Sequence, residues 1–70
     1  MTRDEMIDFI QTAETYTEIL FSAYGSAEVN GIIRDLPVRP SGLRRVTVTT
    51  TGTEFFVGPN TEMDSLRIVG

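Results

Sequence analysis

The chain has 70 residues and a mass of 7.8 kDa, which suits one small domain. Its composition, 40% hydrophobic and 23% charged with a formal charge of -4, is that of a folded protein rather than a disordered tail. Cysteine, histidine, tryptophan and lysine are all absent, which excludes disulfide staples, Ser-His-Asp and Cys-His nucleophiles, lysine Schiff bases and lysine-bearing phosphate loops.

The first segment reads as a long amphipathic helix over about residues 3–24. Thr2 followed by Glu5 fits a reciprocal capping box, and Asp4 and Glu5 sit well at the positive end of a helix dipole. Met6, Phe9, Ile10, Ala13, Tyr16, Leu20, Ala23 and Tyr24 then recur at spacings of three and four, and Gly25 supplies a stop. This apolar stripe is wider than one sheet face needs, with Ile7, Ile10 and Phe21 on one flank and Ile19 on the other. A chain this short buries only roughly 60% of its unfolded surface, so the surplus predicts a homodimer or a stable complex with a protein partner.

Residues 26–36 carry two competing signals. Ser26 followed by Val29, Ile32, Ile33 and Leu36 fits a short helix, whereas Asn30-Gly31 between apolar pairs fits a hairpin. The helix is the preferred reading. Residues 36–42 then form a linker, because Pro37, Pro40 and Gly42 fall within it. The pattern from Arg34 to Pro40 matches an arginine-x-x-proline-x-x-proline ligand for SH3-type grooves, but a stiff connector accounts for it equally well.

From Leu43 the period changes to two, predicting a hairpin over about residues 43–58. A turn at Gly52-Thr53 pairs Val48 with Val57, and a turn at Thr51-Gly52 pairs Val46 with Val57. Either register puts Val46, Val48, Phe55 and Val57 on one face and Arg45, Thr47 and Phe56 on the other. A final strand follows at 66–69. The expected fold is therefore α+β, a long N-terminal amphipathic helix packed on a small three-stranded antiparallel sheet.

Charge is uneven along the chain. Residues 1–28 carry six acids against Arg3, and residues 29–45 carry Arg34, Arg39, Arg44 and Arg45 against Asp35 alone. Such a stripe, with Phe56 beside it, could grip phosphate and stack a base, although the acidic whole repels a polyanion. Asn60, Glu62 and Asp64 have the spacing that opens a calcium loop, but Ser65 stands where glycine is needed and the chain ends before the last ligand. The acids of the first segment are too interrupted to imitate a row of phosphates.

The functional expectation is a small non-enzymatic protein-protein interaction module, acting as a homodimer or as a subunit or inhibitor of a larger protein. Its expected partner-binding residues are Ile7, Ile10, Phe21, Arg39, Arg44, Arg45 and Phe56. No cofactor or metal is expected. The alternative is a nucleic-acid-binding accessory protein using the arginine stripe 34–45. The acidic N-terminus and the lack of any strongly apolar run longer than three residues predict a cytoplasmic protein with no membrane span.

Overall fold

A computed structural model describes residues 1–35 and 42–69. One short helix, α1 (Arg3–Thr12), precedes five strands: β1 (Glu18–Ala23), β2 (Val29–Ile33), β3 (Arg44–Val48), β4 (Glu54–Val57) and β5 (Met63–Ile68). Every pairing is antiparallel, and the order across the sheet is β4-β3-β2-β1-β5. A flat sheet would hold its edge strands roughly 19 Å apart. Yet α1, about 15 Å long, packs against both edges, β4 and β5, so the sheet is curled.

The expected long helix on three strands is therefore overturned: the described chain is mostly β. The stripe read as helical through Tyr24 also carries an alternation, and the structure follows the alternation from Glu18 onward. Ile19, Phe21 and Ala23 face inward and are buried, each two residues from the last. The aromatic and β-branched residues of this stretch suit a pleated strand better than a helix. Gly25 is not a helix stop. Tyr24 and Gly25 both have positive φ (53° and 74°), and Ser26 N–H donates to Ala23 O across them, making a tight turn between β1 and β2.

The preferred short helix after Ser26 is likewise replaced by strand β2, and Asn30-Gly31 lies within it rather than at a turn. Gly31 keeps an ordinary backbone but lies beneath the Phe21 ring, where a Cβ would come within 2.7 Å of both Phe21 Cε1 and Val46 Cγ1. The β3–β4 hairpin is present in a third register, with Arg44 opposite Val57 and Val46 opposite Phe55. That register is displaced by two residues from one expected pairing and by four from the other, so every face is preserved. Of the linker 36–42, all but Gly42 lies outside the described residues, as do residues 36–40 of the proline-containing pattern.

The core gathers Met6, Ile7 and Ile10 from α1 with Ile19, Phe21, Ala23, Ile33, Val46, Val57 and Met63 from all five strands. Polar side chains tie the helix down at both ends. Near its start, Arg3 Nε donates to Thr61 O (2.9 Å), and near its end Gln11 Nε2 donates to Val57 O (2.6 Å) and Gly42 O (2.9 Å). No helix among the described residues is long and apolar enough to cross a membrane.

The capping box forms as the sequence implies. Thr2 N–H donates to Glu5 Oε1 (2.8 Å), and Glu5 N–H donates to Thr2 Oγ1 (3.2 Å). The Thr2 backbone N–H, followed by its side chain, holds the Glu5 carboxyl below the usual glutamate value. The box is thus intact above the ordinary glutamate range and opens as pH falls through the lowered value. Titration of the Thr2 amide resonance is expected to show this in acid, and Glu5→Gln to remove the pH dependence while keeping the bond. A Thr2 amide that titrates identically in the Glu5→Gln variant would contradict it.

Candidate functional site

Of the residues singled out for partner binding, three belong to the interior. Ile7, Ile10 and Phe21 are 7%, 0% and 2% exposed, and they pack against one another's neighbours in the core rather than forming an outward flank. Because α1 ends at Thr12 and β1 begins at Glu18, the flank that a continuous helix would have exposed does not exist. Arg39 lies outside the described residues.

Arg44 is also interior, at 2% exposure. Its side chain leaves the inner face of β3 and reaches the end of α1. There Nη1 donates to Ile10 O (3.1 Å), Gln11 O (3.3 Å) and Ala13 O. Nε donates to Arg34 O (2.9 Å), and Nη2 reaches Thr15 Oγ1 (3.5 Å). The Ile10, Gln11 and Ala13 carbonyls are ones that the end of α1 leaves without helical partners, and the negative end of the helix dipole favours a cation there. No carboxylate lies within ion-pair distance of Arg44 among the described residues. Its charge is balanced by backbone dipoles.

The arginine stripe is consequently dispersed. Arg45 lies on the outer face opposite Phe56 and pairs with Glu54 at 3.5 Å. Arg34 places its guanidinium over the Tyr16 ring, 5.6 Å from the centroid. Phe56 is 53% exposed on the outer face of the edge strand β4. The structure therefore brings Arg45 and Phe56 together and separates both from Arg44.

The feature that sequence reasoning missed is an apolar groove of about 280 Å³ on the inner side of the sheet. Its floor is Phe21, Ala23, Val29, Val48 and Phe55, drawn from four strands, and no residue of α1 lines it. The ten-residue helix brings Met6, Ile7 and Ile10 into the core and packs against β4 and β5, and the groove is a part of the inner face that no helix residue lines. The Phe21 and Phe55 rings meet at 5.6 Å with a 59° tilt, and the Tyr24 ring continues the row at 6.2 Å from Phe55. Such tilted contacts are the favoured aromatic geometry and fix the shape of the floor.

Among the described residues, the polar side chains around this floor are hydroxyls, from Ser22, Ser26, Thr50, Thr51 and Thr53. Several are already engaged. Ser22 Oγ bonds Ser65 Oγ (2.6 Å), Ser26 Oγ donates to Ala23 O (2.6 Å) and Thr51 Oγ1 donates to Thr53 Oγ1 (2.8 Å). Among the described residues, no carboxylate, guanidinium or phenol lines the groove. Such a surface can desolvate an apolar group and hold it. A reading of β1 and β2 as strands would have placed Phe21, Val29, Val48 and Phe55 on one face from alternation alone.

No protein-family model, curated protein or solved structure matches the chain.

Proposed function

We propose that the chain is a small non-enzymatic protein-interaction module that engages its partner through the apolar groove. The carrying observation is that Phe21, Val29, Val48 and Phe55 line an open groove to which no described residue brings an ionisable side chain. Burial of such a floor supplies affinity in proportion to area, and its aromatic row supplies shape. Phe56 and Arg45, exposed together on the outer face, offer a separate and smaller contact of the kind often found at interfaces. The same module could act on itself or as a subunit or inhibitor of a larger protein.

The nucleic-acid alternative draws less support. Arg44 is occupied by the end of α1 and Arg45 by Glu54, which leaves Arg34 as the described member of the stripe engaged neither by those carbonyls nor by a carboxylate. Binding to single-stranded nucleic acid that falls steeply with salt and is lost on Arg34→Ser would restore that reading.

The interaction reading is tested by panning a displayed random-peptide library against the folded protein and against two variants, Val48→Ser in the groove and Phe56→Ser outside it. Enriched peptides are expected to share an apolar residue, to lose roughly tenfold or more in affinity with Val48→Ser, and to change little with Phe56→Ser. An absence of enrichment over a control protein would refute it. So would peptides indifferent to Val48.

A further inference from the structure

The chemistry of the groove and the charge around it together narrow what can occupy it. A charged group placed on the floor would lose its hydration and meet no counter-charge, so the entering group is uncharged. The volume, about 280 Å³, is enough for one large side chain. At the rim, the Thr50 hydroxyl makes no hydrogen bond within the described residues, and a hydroxyl can serve either an N–H or a C=O of a passing backbone.

Charge surrounds the opening unevenly. Residues 18–33 and 46–66, which supply every lining residue, contain no arginine. Glu28 precedes Val29 in the β1–β2 connection, and Glu54 lies between Thr53 and Phe55. Glu62 and Asp64 are tied to the same connection, since Tyr24 N–H donates to Glu62 O (2.8 Å) and Gly25 N–H to Asp64 Oδ2 (2.7 Å). Arg67 pairs with Glu28 (2.9 Å) and Arg45 with Glu54 (3.5 Å), but Glu62 and Asp64 have no cation partner among the described residues. The surroundings are therefore negative while the floor is neutral.

We propose that the groove receives one uncharged apolar side chain from a partner segment whose flanking residues are basic. This rests on the interaction-module reading and names the chemistry of its partner. The anchor side chain provides burial against Phe21 and Phe55, and the flanking cations answer Glu62 and Asp64. Because those carboxylates are exposed, the basic flanks contribute preference more than bulk affinity, and their contribution weakens with salt.

Three short labelled peptides test this: leucine flanked by arginines, leucine flanked by glutamates, and serine flanked by arginines. Binding is followed by fluorescence anisotropy at low and high salt and mapped by methyl resonances of the protein. The arginine–leucine peptide is expected to shift the Val29 and Val48 methyls and to bind roughly fivefold to tenfold tighter than the glutamate–leucine peptide at low salt. High salt should narrow that gap, Glu62→Gln should narrow it without unfolding the chain, and the arginine–serine peptide should lose most of the binding. Equal binding of the two leucine peptides in the groove would overturn the basic partner while leaving the module intact. Equal binding of the leucine and serine peptides would overturn the apolar anchor. If no peptide moves the groove methyls, the module reading itself falls. If those methyls instead shift with protein concentration alone, the occupant is a second copy of the chain and the proposal is wrong.

Discussion

Replacing Arg44 by methionine is expected to destabilise the fold by about 3 kcal/mol or more, lowering the thermal midpoint by roughly 12–24 °C. Methionine keeps much of the length and apolar stem of arginine but none of its donors. The carbonyls of Ile10, Gln11, Ala13 and Arg34 would then lose the donor that Arg44 supplies to them. A hydrogen bond from a charged donor contributes roughly 1.5–3 kcal/mol, and several are lost together. A core of this size supplies roughly 3–5 kcal/mol in all, so the variant is expected to be near its unfolding threshold at room temperature. Chemical denaturation of wild type, Arg44→Met and Arg44→Lys would measure it. Lysine retains the charge but not the planar fork, and should recover only part of the loss. A methionine variant within about 1 kcal/mol of wild type would show that the carbonyls are satisfied in some other way.

The second large effect is expected at Gly31. Its backbone is ordinary, so the requirement for glycine comes from what lies above it rather than from its own dihedral angles. A Cβ there meets the Phe21 ring and Val46 at 2.7 Å, and both of those residues are held in the core at 2% and 0% exposure. Neither can withdraw cheaply. Gly31→Ala is expected to destabilise by about 1–3 kcal/mol through overpacking, against a gain of roughly 0.4–1 kcal/mol from a stiffer unfolded chain. Gly31→Val should be worse despite the high strand propensity of valine. The physical cause can be isolated in a double-mutant cycle. In a Phe21→Leu background the ring is gone, so the cost of Gly31→Ala should shrink, whereas additive costs would place the strain elsewhere. Displacement of Phe21 would also deform the groove floor, so the Gly31→Ala protein should bind the groove peptides more weakly even where it remains folded.

These two residues also explain how the sequence could mislead. Arg44 stands in a basic cluster and looks like a surface contact, because the helix-end carbonyls it serves lie more than thirty residues earlier in the chain. Gly31 follows asparagine and looks like a turn, because the ring that demands it comes from Phe21 on the neighbouring strand. In both cases the residue type is accounted for by a partner that local pattern does not reveal. The long helix failed for a related reason. Ile19, Phe21 and Ala23 satisfy a period of two, while Tyr16, Leu20, Ala23 and Tyr24 satisfy a period near four, and the two patterns overlap. Here α1 ends at Thr12, the Ala13 cap is extended, and Arg44 binds the terminal carbonyls. Tyr16 adopts a left-handed backbone (φ 73°) that no helix accommodates.

What the sequence determined by itself is local. The Thr2–Glu5 box follows from two side chains one turn apart. The two faces of the β3–β4 hairpin follow from strict alternation, which survives a change of register by an even number of residues. The absence of histidine, cysteine and lysine removes whole classes of chemistry whatever the fold. Tertiary structure decided the rest: where α1 stops, that β1 and β2 are strands, that Ile7, Ile10 and Phe21 are interior, and that a groove remains beyond the helix. Caps and alternation act within a few residues, so one segment contains both partners. A helix end closed by Arg44 and a groove drawn from four strands exist only once distant segments have met.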